Sequence, residues 1–279
     1  MPGEVIPLRP LTLAELLDVA LELLRRNATG LLGAAAVLAV LEQAALYPLR
    51  VAAGVRPANY FDLDHLYTDL GVFWILLATG LGTEMAIIAV LGGLAGRAAV
   101  PALVGGDPAP RWLAGRGSRP AALAGLAALA AAGGALTAAA GLVPWFFWFL
   151  FTGLAAPALI IDRLGPAPAL GRSFVMVARG RLRPGGIRLL GYLAWYSIRL
   201  ALAVGGMAAL RLIVHLPGET WATLASMAGW VIVNTVAYAV LGCLDAVLHL
   251  ENRMRVEGLD LALGRALRRG VPPGRILAG

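Results

Sequence analysis

Six continuous apolar runs divide the chain, near 28–49, 70–96, 120–142, 144–161, 188–213 and 222–249. A helix of about 20 residues crosses a hydrocarbon layer of about 30 Å, and each run is close to or above that length. Apolar positions follow one another without the alternation of a barrel strand, and a helix satisfies its own backbone N–H and C=O groups where water is absent. The pattern predicts six transmembrane helices. Only Leu142 to Pro144 part the third run from the fourth. Together they are too long for one span, so two helices and a tight turn are expected.

Polar positions outside the runs predict surface helices. Thr12 and Glu15 have the T-x-x-E spacing of a capping box. After them Leu13, Leu16, Leu17, Ala20 and Leu24 fall on one face, and Glu15, Asp18, Glu22 and Arg26 on the other. This segment reads either as a helix in the headgroup plane or as a solvated cap on the bundle. Its acids and the lack of an early apolar core separate it from a cleavable signal peptide. A weak repeat is also visible. The stretch from Gly106 and the stretch from Leu164 each carry Pro-Ala-Pro, a helix-length mixed segment, Arg-Pro and then a span. The second predicts a surface helix over 166–182 with Leu170, Phe174 and Val177 inward.

Composition agrees with the pattern: 59% of residues are hydrophobic and 14% charged, too few charges to cover a soluble domain of 279 residues. All 23 basic residues are arginine, and their distribution orients the bundle, because basic connections stay on the cytoplasmic side. Three precede the first span, four lie from Arg97 to Arg119, six from Arg163 to Arg188 and six from Arg253 onward, all on one side. Arg50 and Arg56 stand on the other, beside Asp62, Asp64 and Asp69. Both termini are therefore expected in the cytoplasm. Tyr47, Trp74, Trp145, Phe146, Phe147, Trp148 and Trp221 gather near the opposite interface, as amphipathic rings do. The expected fold is an all-α polytopic membrane helical bundle: an interfacial helix over 1–27, a six-span domain over 28–250 and a basic cytoplasmic tail over 251–279.

Chemistry is sparse. The three histidines, His65, His215 and His249, fall at separate places on two sides of the membrane, so no metal-dependent site is expected. Asp62, Asp64, His65 and Asp69 carry donors for a divalent cation, against the plainer reading of a solvated acidic loop. "GLGTEM" at Gly80 has the look of packing glycines within a span. Cys243 has no partner for a disulfide and reads as a small core residue. The polar residues inside the spans say more, because a lone charge in hydrocarbon costs several kcal/mol and needs a partner or a cavity. At about 1.5 Å of rise per residue, Arg199 falls near the midplane, with Glu84 and Glu42 at similar depth. The expected arrangement is a structural pair of Arg199 with Glu84 or Glu42; a substrate or proton path through the same residues is the alternative. Gln43 and Asn234 lie at comparable depths. Arg211 and Asp245 are expected near opposite interfaces, snorkelling.

The segments "IPLRPLTLAELLDVALELLRRNATGLLG", "APALIIDRLGPAPALGRSFVMVARGR" and "ENRMRVEGLDLAL" resemble actinobacterial multi-pass proteins related to the membrane domain of glycerophosphoryl diester phosphodiesterase. The resemblance covers about residues 5 to 262 and implies a fold and a location in the cytoplasmic membrane, with no active residues and no cofactor. Two functions are expected from these features. One is a non-catalytic scaffold or accessory subunit, with Arg172, Arg179, Arg181 and Arg183 on anionic lipid headgroups and a membrane protein as possible partner; nucleic acid is not expected. The other is a transporter or lipid-handling protein using the intramembrane Glu and Arg residues.

Overall fold

The computed structural model describes residues 6–7, 9–55, 70–103, 119–213 and 218–269, and every regular element among them is helical. Among the described residues, six helices or helix pairs are long and apolar enough to cross a membrane: Ala28–Ala52, Leu70–Leu103, Pro120–Ala140, Leu142–Ile161, Arg183–Ile213 and Thr220–Glu257. The protein is a multi-pass membrane helical bundle. The elements are α1 (Leu13–Arg26), α2 (Ala28–Ala52), α3 (Leu70–Leu103), α4 (Pro120–Ala140), α5 (Leu142–Thr152), α6 (Ala155–Ile161), α7 (Pro166–Arg179), α8 (Arg183–Leu200), a π-turn (Ala201–Gly205), α9 (Gly206–Ile213), α10 (Gly218–Glu257) and α11 (Leu259–Arg268).

Helix α3 is the axis of the bundle, with α4 against one side and α2 and α10 against others. Small residues allow this, since helices in lipid associate by close van der Waals packing. A Cβ on Gly82 would lie 2.7 Å from the Ala131 carbonyl of α4, and one on Gly242 would lie 2.8 Å from the Leu91 backbone carbon of α3. The glycine of "GLGTEM" is thus a helix-crossing point. Between α4 and α5 the turn is Gly141 alone, at φ +136°. Pro144 sits in the first turn of α5, where a missing N–H is tolerated, so the connection is shorter than the Leu142 to Pro144 expected.

At the opposite end of the bundle the surface helices are anchored to protein. The capping box of α1 forms: Glu15 Oε2 accepts from the Thr12 N–H at 2.8 Å, and Thr12 Oγ1 accepts from the Glu15 N–H at 3.4 Å. Leu16, Val19, Ala20, Leu23 and Leu24 are buried, whereas Leu13 is exposed. This face packs on α10, because α10 runs on to Glu257. Residues 251–254 are therefore buried parts of the bundle instead of the start of a basic tail. Helix α7 turns Ala169, Ser173, Met176 and Val177 inward, leaving Phe174 exposed and Leu170 half-buried. The polar Ser173 wins a core position because its hydroxyl donates to the Phe151 carbonyl at 2.6 Å and accepts from the Leu154 N–H at 3.1 Å, at the α5–α6 break. The acidic loop with Asp62, Asp64, His65 and Asp69, the stretch from Gly106 to 118, and His215 lie outside the described residues.

Candidate functional site

Near the middle of their spans, α2, α3, α8 and α10 each turn polar side chains toward one point. Arg199 Nη1 lies 2.5 Å from Glu84 Oε1, and both residues are buried. The Tyr192 hydroxyl, two turns earlier on α8, donates to Glu84 Oε2 at 2.9 Å. Glu42 is buried close by, and neutral groups hold it. Tyr238 Oη donates to its two oxygens at 3.1 and 2.9 Å, Asn234 Nδ2 to Oε2 at 3.3 Å and Thr83 Oγ1 to Oε1 at 3.3 Å. Asn234 joins the halves, since its Oδ1 accepts from Arg199 Nη1 at 3.4 Å. The structure thus brings Glu42, Glu84 and Arg199 together, with Glu84 as the ion-pair partner. Gln43 is occupied by Arg50, whose Nη1 donates to its Oε1 at 2.6 Å.

Above this network is a partly open cavity of about 360 Å³. Its polar floor is formed by Glu42, Glu84, Arg199, Asn234 and Tyr238, and its wall by apolar and aromatic groups including Phe73, Trp145, Phe146 and Trp230. The volume lies within the range of about 300–1,000 Å³ usual for small-molecule sites. The cavity extends toward the end of the bundle that carries the Gly141 turn, since Leu142, Trp145 and Phe146 line it. Two buried donors of cavity-lining residues, Arg199 Nε and Trp145 Nε1, have no hydrogen-bond partner among the described residues. Arg199 also lies over the rings of Tyr192, Tyr196 and Tyr238, 5.6, 5.6 and 5.3 Å from their centroids. Such faces stabilise a guanidinium away from water. Directly after Arg199 the chain enters the π-turn, an irregularity that recurs at functional positions. Beyond it α9 has no buried residue.

Toward the other end a second buried pair closes the bundle. Arg188 Nε donates to Asp245 Oδ1 at 2.7 Å, its Nη1 donates to the Phe149 carbonyl, and its guanidinium lies 3.7 Å from the Phe149 ring centroid. Asp245 is therefore a core residue of a pair, and the expected snorkelling to an interface does not occur. An internal arginine satisfies it more directly than water at the surface. Arg188, grouped by sequence with the cytoplasmic arginines, lies inside because Gly153 leaves room for it. A Cβ there would come within 2.2 Å of its Cδ and Nε.

The arginines expected on lipid headgroups divide into two sets. Arg179 and Arg181 are exposed. Arg172 pairs with Glu257 at 2.5 Å and with Asp162 at 3.4 Å, while Arg183 Nη1 lies 3.0 Å from both Glu251 oxygens and its Nη2 donates to the Leu11 carbonyl at 2.9 Å. Acids distant in sequence fold onto these two, so both are engaged within the protein while remaining partly exposed. Asp162 also accepts from Arg253 Nη1 at 2.8 Å and faces His249 Nε2 at 3.3 Å. Burial pushes the Asp162 carboxyl up, but His249, Arg253 and Arg172 outweigh it and hold it below the usual aspartate range.

Tyr192, Tyr238 and Thr83 belong to the site but were not singled out by sequence reasoning, and Trp145 was expected only as an interfacial aromatic. A usable signal existed for two of them. Tyr192 precedes Arg199 by seven residues and Tyr238 follows Asn234 by four, spacings that put each on the face of its charged or amide neighbour. Among the described residues no group of three or more His, Cys, Asp or Glu side chains is placed to hold a metal ion. No family model, curated protein or solved structure matches this chain.

Proposed function

We propose that the protein binds an amphiphilic small molecule within the membrane and acts as a transporter or lipid-handling protein. The observation that carries this reading is the cavity reaching Glu42, Glu84 and Arg199 at mid-helix depth. A purely structural ion pair needs no cavity and leaves no donor unpaired, whereas Arg199 Nε has no hydrogen-bond partner among the described residues. The geometry suits an occupant with an apolar body among the rings and a polar group on the floor. The π-turn beside Arg199 and the loosely packed α9 supply a segment able to move as the site changes access. On this reading the protein resides in the cytoplasmic membrane with both termini inside, related to the membrane domain of glycerophosphoryl diester phosphodiesterase, and has no catalytic step and no cofactor.

A scaffold role is the second reading, supported by the exposed Arg179 and Arg181 beside exposed Phe174, Val175 and Leu182. That surface suits anionic headgroups or a membrane protein partner. Access separates the readings. With Cys243 replaced by Ala, a cysteine at the cavity-lining Leu77 should react with a small water-soluble thiol reagent from either side of oriented vesicles. Reaction from one side alone leaves a static vestibule and removes the transport reading. Failure from both sides returns the protein to the scaffold role.

A further inference from the structure

We infer that the cavity selects an organic cation, an ammonium-bearing amphiphile whose charge rests against Glu42 and whose apolar body lies among the aromatic rings. This rests on the cavity being a ligand site, as proposed above. The starting point is a difference among the buried acids. Glu84 has Arg199, Asp245 has Arg188, and Glu251 has Arg183 and Arg255. Glu42 is buried too, at the same 6% exposure as Glu84, yet no arginine or histidine forms a salt bridge with it among the described residues.

Its surroundings orient it without neutralising it. Tyr238, Asn234 and Thr83 donate hydrogen bonds from neutral groups. Arg199 closes on Glu84 at 2.5 Å and is linked to Glu42 by hydrogen bonds through Asn234, with no salt bridge of its own to Glu42. Arg50 reaches back along α2 to Gln43. An uncompensated carboxylate in a low-dielectric region is costly; a proton relieves that cost, and so does a cation arriving from the space it faces. That space is the cavity. Its wall carries Phe73, Trp145, Phe146 and Trp230, and aromatic faces attract alkylammonium groups while tolerating their apolar parts. An anion of the same size meets two carboxylates with a guanidinium already committed to one of them.

The test uses the full chain in lipid nanodiscs, with intrinsic tryptophan fluorescence as readout because Trp145 and Trp230 line the cavity. Three probes share a chain and differ in head: hexyltrimethylammonium, hexanesulfonate and hexanol. The quaternary head carries charge but no transferable proton, so it reports on cation binding alone. The expected result is saturable binding of the ammonium, with both other probes weaker by about tenfold or more, and a comparable loss in Glu42→Gln. Glu42→Asp, which keeps the charge, should retain the preference for the cation. Binding of hexanesulfonate or hexanol as tight as the ammonium overturns the cation inference while leaving a small-molecule site in place. So does an unchanged affinity in a folded Glu42→Gln protein. Absence of saturable binding by all three overturns the inference and the ligand reading together. The comparison of probes in the unaltered chain decides the sign of the charge even where a variant fails to fold.

Discussion

Arg199 and Glu84 are bound to each other more tightly than to anything else in the network, and that asymmetry makes a mutational prediction. Removing one member of a buried pair strands the other, at about 3–5 kcal/mol, while removing both with apolar replacements abolishes the stranded charge. Arg199→Leu should therefore lower the folded fraction after detergent extraction sharply. Adding Glu84→Leu should recover most of the loss, and adding Glu42→Leu should recover little, because Glu42 keeps its neutral donors in either background. Equal recovery by both double variants contradicts the pairing seen here. Asp162 supplies a pH test at the other end of the bundle. Its folded pKa lies below the ordinary value of 3.8, so its contribution is fully present above that value and disappears as pH falls through the lower, folded value. Asp162→Asn should destabilise the protein near neutral pH, and the difference from the parent should shrink as the pH drops below about 4. A difference independent of pH contradicts the electrostatic origin.

At the scale of elements, the break between α5 and α6 is the feature with the clearest cause. The fourth span does not cross as one helix: Gly153 and Leu154 part Leu142–Thr152 from Ala155–Ile161. The break admits the Arg188 side chain, and Ser173 of α7 binds the Phe151 carbonyl and the Leu154 N–H that it exposes. Gly153→Ala should displace Arg188 from Asp245 and destabilise the bundle. In a background that already carries Arg188→Leu and Asp245→Leu the same change should cost markedly less, since the obstructed side chain is gone. Thermal unfolding midpoints of the four proteins in one detergent test this, and additive losses contradict the coupling. Helix α1 shows the same dependence on neighbours. Its amphipathic pattern fits a membrane surface or a protein surface equally, and the extension of α10 to Glu257 supplies the protein surface. Arg183 and Arg255 both donate to the Leu11 carbonyl just before α1.

For the whole molecule, the two ends of the bundle differ in character. One end is tied by Asp162, Arg172, His249, Arg253 and Glu257 and by the Arg188–Asp245 pair below it. The other carries the cavity, and α9 on that side has no buried residue. On the proposed transport reading, a bundle tied at one end and holding the cavity at the other is one access state. The proposed orientation, drawn from the arginine distribution, puts the tied end on the cytoplasmic side. Single cysteines at Ala58 and Gly117, in a Cys243-free protein, test that assignment. An impermeant thiol reagent on intact cells should label Ala58→Cys and spare Gly117→Cys, and the reverse pattern inverts the orientation.

Six spans were legible in the chain because hydrocarbon thickness imposes a length and a composition on each helix independently of its neighbours. The capping box of α1 was legible for the same reason, as its donors and acceptors lie within one turn. The depth of Glu42, Glu84 and Arg199 followed from counting residues along spans, so the proximity of these three was accessible without coordinates. The sequence left the choice of partner open, since Glu84 and Glu42 lie at similar depths and only the rotation of α2 and α3 about their axes decides which meets Arg199. The same limit hid the Arg188–Asp245 pair: an arginine next to a basic connection looks like a cytoplasmic residue until Gly153 is found to make room for it. The cavity is further still from the sequence, because an empty volume arises from the packing of several helices at once. Local spacing and solvent determine what each segment does alone, and only the tertiary structure decides which faces meet.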